Sequence, residues 1–371
     1  MDPRYHIGDT SEIITPAVVL FAELLEQNLD KMIEIAGDPA RLRPHCKTHK
    51  MAEVIRRELR KGIVKHKCAT FAEAEMLARA GAKDIFLAYN LVGPNVKRAV
   101  RFVEIFPDVL FSVTADHPDP IEQLGRTFAD AGRAIHVLLD IDTGQQRTGV
   151  EAGPHAIKLY RRIVDTPGLC AAGLHVYDGH QHQKSRDERA IAVHAAWRKV
   201  VAFRDELLAA GLPVPRMVCG GTASFPIYAQ ERDPTIELSP GTCVFHDAGY
   251  ADHFPDLVFF PAALLLTRVI SRPAANRMTL DLGNKAVASD PPAGARVLFP
   301  ELPDAKQVLH NEEHLVLETS QAQQYRPGDE LLAIPTHVCP TSALHKQVFV
   351  ISGGRLADRW DVTARDRWLT L

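Results

Sequence analysis

The stretch VKHKCATFAEAEMLARAGAKDIFLAY, Val64 to Tyr89, decides how the chain is read. Its ends, Val64–Thr70 and Asp84–Tyr89, are short candidate strands. Between them Phe71–Ala80 has the amphipathic pattern of a helix. A strand, a helix and a second strand in one short run imply parallel pairing through a right-handed crossover.

Working outward, the unit repeats. Further candidate strands are Leu42–Cys46, Leu110–Thr114, Ile135–Ile141, Ala171–Val176, Met217–Cys219 and Thr235–Leu238. Helical patterns such as Ala52–Arg60, Asn95–Phe106 and Arg189–Ala210 fall between strands. The candidate strands, eight with the two above, predict a closed (β/α)8 TIM-type barrel. An open doubly wound sheet is the alternative, against which no GxGxxG follows the first strand. After about Tyr250 helical periodicity fades. Runs such as Met278–Leu282, His314–Glu318, Glu330–Ile334 and Gln347–Ile351 predict an antiparallel β-domain, and Gly353-Gly354 looks like a hairpin turn before Leu356–Trp360. Ala17–Leu20 reads as a strand linking the two parts. The expected division is a barrel over 21–250 and a β-domain formed by 1–20 plus 251–371.

The chain has 371 residues, too many for one ordinary compact domain. Its net charge of −3 gives no electrostatic reason to expect nucleic acid or an anionic membrane as partner. MDPRYHIGDTSE lacks the basic-then-apolar order of a signal peptide, and the six cysteines form no CxxC pair. Both features point to a cytoplasmic protein with reduced thiols.

The densest chemistry is RPHCKTHK, Arg43 to Lys50, at the expected C-terminal end of the first barrel strand, where barrels display catalytic groups. Desolvation at a barrel mouth and the nearby Arg43, His49 and Lys50 would favour an uncharged Lys47 amine, the form that attacks an aldehyde. A solvated basic loop is the competing reading. In CGGTAS, paired glycines and hydroxyls after the seventh strand suit an anion, so Gly221, Thr222 and Ser224 are a candidate phosphate cradle, although most GG pairs are only turns. Near the end of the chain is HVCPT. Residues i and i+2 of a strand share a face, so His337 and Cys339 are expected to converge on one ion. Imidazole with thiolate suits zinc, and two protein ligands leave positions open for water or substrate. An isolated HxC pair is more often chance.

Taken in order, RPHCKTHK, DIDTGQQRTG (Asp140–Gly149), HVYDGHQH (His175–His182), GGTAS (Gly220–Ser224) and HVCPT (His337–Thr341) resemble the D-threonine aldolase and D-serine dehydratase family, relatives of alanine racemase. The resemblance runs over nearly the whole chain. It implies the alanine racemase-like fold type III and pyridoxal phosphate carried on Lys47. It puts Arg147 by the phenolic oxygen of the cofactor, Tyr177 against its ring and His180 as an acid/base group. His175 is read as structural, pointing to the opposite face from Tyr177, and His182 is as readily a solvated residue as a functional one. The family also implies a homodimer and a divalent metal. Members with aspartate in place of Cys339 tend to manganese; Cys339 points to zinc, with cobalt and magnesium as alternatives, and it also resembles the dehydratase members. No role is assigned to Gly283–Lys285 or Glu312–His314.

The implied reaction acts on small D-configured β-hydroxy amino acids. Loss of the hydroxyl proton would break the Cα–Cβ bond and give glycine and an aldehyde, the aldolase outcome. Loss of the α-proton would expel hydroxide and give a keto acid and ammonia, the D-serine or D-3-hydroxyaspartate dehydratase outcome. The GGTAS, HVYDGH and C-terminal stretches favour the aldolase. The rivals are a non-catalytic pyridoxal phosphate carrier, against which the β-domain and the metal pair speak, and a barrel metalloenzyme without that cofactor.

Overall fold

Residues 2–371 are described in a computed structural model. Strand β1 (Ala17–Phe21), the first strand, runs into the helix Ala22–Ala36. Then come the parallel strands β2 (Lys65–Cys68), β3 (Asp84–Asn90), β4 (Leu110–Ala115), β5 (Ile135–Asp142), β6 (Leu169–Tyr177), β7 (Met217–Cys219) and β8 (Ile236–Leu238), hydrogen-bonded in sequence order. The helix Phe71–Ala80 shows why the elements start and stop where they do. Thr70 accepts the Glu73 amide at 3.1 Å as its N-cap, and Gly81 ends it with φ 106°. The helices Pro94–Ile105, Pro118–Asp130 and Pro154–Asp165 each begin on proline, whose fixed φ suits the first helical position.

The expected first strand, Leu42–Cys46, is not a laddered strand. Leu42 bridges Leu238 and His45 bridges Lys67, with Arg43 N–H donating to Leu238 O and His45 N–H to Pro240 O, both at 2.7 Å, and Lys67 N–H donating to Pro44 O at 2.8 Å. Pro44 has no N–H to continue a ladder, and Cys46–Thr48 turns into a 3-10 helix. The segment nevertheless joins β8 to β2 and closes the barrel.

Inside the barrel Phe86, Leu138, Ala172 and Val218 form a buried apolar layer. At the N-terminal end of the strands a charged cluster lies beside it. Arg43, fully buried, bonds Glu237 at 2.5 Å and Asp84 at 2.9 Å, and Lys65 reaches Glu237 at 3.0 Å. Gly173 on β6 has φ 110°, and a Cβ there would lie 1.9 Å from Arg216 O, so only glycine fits where β6 bulges against its neighbour.

The other sheet contains β9 (Ala263–Ala274), β10 (Arg277–Leu280), β11 (Val297–Leu298), β12 (Lys306–His310), β13 (Leu315–Glu318), β14 (Glu330–Pro335), β15 (Gln347–Ser352) and β16 (Arg355–Asp361). Its order is β12-β13-β10-β9-β1-β15-β16, with β14 bridging β9 and β11. All pairs are antiparallel except β1 with β15. β1 is thus an inner strand of this sheet, and Gly353-Gly354 is the β15–β16 turn. By compactness the chain divides into one unit of residues 32–47, 52–241 and 366–371 and another of 1–31, 48–51 and 242–365. Among the described residues no helix is long and apolar enough to cross a membrane.

Candidate active site

The C-terminal ends of β2 to β6 open onto a cavity of about 470 Å³, lined among others by Lys47, Lys67, Asn90, Asp140, Arg147, His175 and Tyr177. Tyr177 is its centre. Lys47 Nζ lies 5.9 Å from the Tyr177 ring, Lys67 Nζ 5.5 Å and the Arg147 guanidinium carbon 5.0 Å. Lys47 therefore stands on the 3-10 turn after Pro44, facing the cavity with Arg147 and Tyr177.

The like-charged neighbour of Lys47 is not one the RPHCKTHK cluster supplies. Arg43 is ion-paired at the other end of the strands, His49 is buried and accepts the Met51 amide at 3.1 Å, and Lys50 does not line the cavity. The neighbour is Lys67, one strand away. Burial first, then the Lys47 charge, lowers the Lys67 pKa to about 7.

His175 also corrects the sequence reading. It shares the cavity with Tyr177, its ring parallel to the tyrosine ring at 6.5 Å. Residues two apart on a strand point the same way, so the opposite-face assignment misapplied the strand period. His175 Nδ1 is 2.7 Å from Asp140 Oδ1. Burial pulls the imidazole pKa down, against the pull of Asp140. Burial raises the Asp140 pKa, but His175, the Thr148 hydroxyl and the Arg147 charge together outweigh it and hold the carboxyl below its usual range. The pair is a neutral imidazole donating to a carboxylate, which leaves His175 Nε2 buried with no partner.

On the loop after β7, Gly221 lies under Tyr177, and a Cβ there would be 3.0 Å from the ring. Thr222 Oγ1 accepts the Gly241 amide at 3.1 Å. Ser224 Oγ accepts the Gly221 amide at 3.1 Å and donates to buried Asp178 at 2.6 Å. His180 lies outside the cavity lining, its Nε2 3.0 Å from the Gln181 amide nitrogen, and His182 is exposed. A buried donor trio, His45, Cys46 and Glu73, sits beside the lysine turn. Glu73 Oε2 there accepts the Ala69 amide at 2.6 Å.

The HxC pair is not on a strand. His337 is the N-cap of the helix Val338–Leu344, and Cys339 is its second residue. The pair converges because a helix start curls back on itself, not because a pleat alternates. Cys339 Sγ is 3.2 Å from Thr48 Oγ1, the hydroxyl of the residue after Lys47 in sequence, and 3.6 Å from Thr242 Oγ1. His337 Nδ1 is 2.5 Å from Asp290. Burial lowers the His337 pKa, but Cys339 and Asp290 together outweigh it and raise it to about 9. Asp247 accepts the Val338 amide at 3.0 Å, and burial raises its pKa to about 6. An imidazole with one nitrogen tied to a carboxylate, beside a thiol flanked by hydroxyls, is a donor set that fits a divalent ion.

Three cations around one committed carboxylate, with a tyrosine ring and close-approach glycines, fit a flat anionic molecule such as pyridoxal phosphate. Residues 22–248 match the alanine racemase N-terminal domain, and residues 262–351 match a putative serine dehydratase domain. The chain belongs to the D-threonine aldolase and D-serine dehydratase family of lyases, built on an alanine racemase-type barrel. It is 32% identical to the D-threonine aldolase of Arthrobacter sp over 98% of this chain and 96% of that one. It is 28% identical to the 3-hydroxy-D-aspartate aldolase of Paracoccus denitrificans over 97% of this chain and 94% of the other. Its fold superposes on the crystal structure of D-threonine aldolase from Filomicrobium marinum with a TM-score of 0.87 and 29% identity, covering 95% and 96% of the two chains.

Proposed function

We propose that the protein is a pyridoxal phosphate- and metal-dependent lyase of the D-threonine aldolase type, cleaving D-β-hydroxy amino acids to glycine and an aldehyde. The observation that carries the reading is the cavity itself: a lysine at a barrel mouth facing an arginine and a tyrosine ring. Similarity along the full length of a D-threonine aldolase supports it.

Bound there, pyridoxal phosphate supplies an electron sink for charge left on the substrate α-carbon, and a divalent ion, zinc by preference, supplies Lewis acidity toward the β-hydroxyl. The chain's own groups do the rest. Lys47 provides the amine that holds the aldehyde. Arg147 offers a fixed cation to an anionic ring oxygen, and Tyr177 provides the surface a ring lies against. Gly221, Thr222 and Ser224 form the phosphate loop, in which Ser224, held by Asp178, shapes the turn. His337 and Cys339 would hold the metal, and Asp290, which contacts His337 Nδ1, would orient the imidazole. His180, on the loop after β6, is the group assigned to accept the hydroxyl proton.

Cys339 favours a second outcome, because a thiol ligand resembles the dehydratase members of the family. Incubating the purified protein with D-threonine and with D-serine separates the two. Glycine with acetaldehyde supports the aldolase, and a keto acid with ammonia moves the assignment to a dehydratase. A protein that shows the Schiff-base absorbance yet consumes neither of these nor D-3-hydroxyaspartate is a carrier.

A further inference from the structure

Lys67 is the group in the cavity that the reading above leaves without work. Its side chain is buried, at 2% residue exposure, and it lines the cavity beside Lys47. Among the described residues no oxygen hydrogen-bonds its amine, whose contact is the Tyr177 ring at 5.5 Å. The carboxylate in the cavity wall, Asp140, is taken by His175 at 2.7 Å. Just past the end of β6, Asp178 is engaged by Ser224, and burial pushes its carboxyl and the neighbouring Cys219 thiol toward their neutral forms. Arg147 and Lys47 add positive charge around the same tyrosine ring.

A buried amine that no oxygen hydrogen-bonds costs free energy whether or not it carries its proton, and methionine would fill the same space without that cost. A lysine kept here therefore has its partner in the molecule that enters. We propose that Lys67 is an oxyanion-holding residue: its ammonium pairs with an anionic oxygen of the cavity's occupant, either the phenolate of the aldehyde cofactor or a carboxylate of the amino-acid substrate. This rests on the cavity being the cofactor site. With Lys47 free, burial and the Lys47 charge lower the Lys67 pKa to about 7; an anion within reach would raise it again.

The test compares full-length wild type, Lys67→Met and Lys67→Arg, each loaded with pyridoxal phosphate. If the wild type forms no Schiff-base absorbance, the cofactor reading falls and this proposal with it. With the band present, a phenolate partner appears as a shift of about one pH unit or more in the spectral titration of the Met variant. A carboxylate partner appears as a KM for D-threonine raised about tenfold with kcat retained. In either case Lys67→Arg restores most of the wild-type behaviour, which a residue that merely filled space would not require. A Met variant that matches the wild type in both measurements overturns the proposal. If that variant does not unfold cooperatively, Lys67→Gln takes its place in the same comparison.

Discussion

Lys47 and Lys67 lie on adjacent segments of one barrel wall, and the first prediction concerns which amine can replace the other. Lys47→Ala should lose the Schiff-base absorbance. If borohydride traps residual cofactor, peptide mapping should find it on Lys67, which shares the cavity, and not on Lys50, which does not line it. A second prediction concerns the thiol. Cys339→Ala should lose bound metal by elemental analysis while keeping the Schiff-base band. Thr48→Val should weaken metal retention to a smaller degree, about tenfold, as outer-shell partners do. At this scale the sequence was only partly legible. Lys47, Arg147 and Tyr177 stood in ordered motifs, and the cavity contains all three. Lys67 was missed, although Lys65 and Lys67 alternate in a strand that a barrel must bury. That alternation was the available signal, since two inward lysines there cannot both be solvated.

Among the elements, β6 shows how local geometry aims side chains. Its glycine bulge lies upstream of His175 and Tyr177. Gly173→Ala should destabilise the protein by roughly 1–3 kcal/mol in urea unfolding, from a strained left-handed φ and the clash with Arg216 O. The turn after Thr242–Val244 carries a pH-dependent term. His246 is buried, and burial lowers its pKa to about 4. Its usual value of about 6.5 applies to the unfolded chain, so between those values the unfolded state binds the extra proton. Stability from this group is present above pH 6.5 and falls as pH drops toward 4, with a slope of ~1.4 kcal/mol per pH unit at most. Replacing His246 with glutamine should flatten urea midpoints between pH 7 and 5 relative to wild type. The helices Ala52–Arg60 and Phe71–Ala80 were legible to the residue, because caps and periodicity are local. The helix start at His337 was not, because three residues of HxC carry no period and a helix of seven residues leaves little pattern to read.

For the whole molecule, alternation of strands and helices was enough to predict a barrel and its loss after residue 250 enough to predict the second sheet. What it could not supply was how the ring closes, since a proline-broken segment looks like any other short strand in a sequence. The family reading predicts a homodimer, which light scattering should report as twice the chain mass; a monomer of full activity would refute it.

The seam at Leu42–His45 has a kinetic corollary. Every other stave of the cylinder is stitched to its neighbours residue by residue, whereas this one is held by a few isolated backbone links on either flank. Amide protons along it should trade with deuterated water sooner than those of β5, so the reactive amine rides on the part of the wall that breathes first. Ligand trapped on Lys47 should slow that exchange more than anywhere else in the ring.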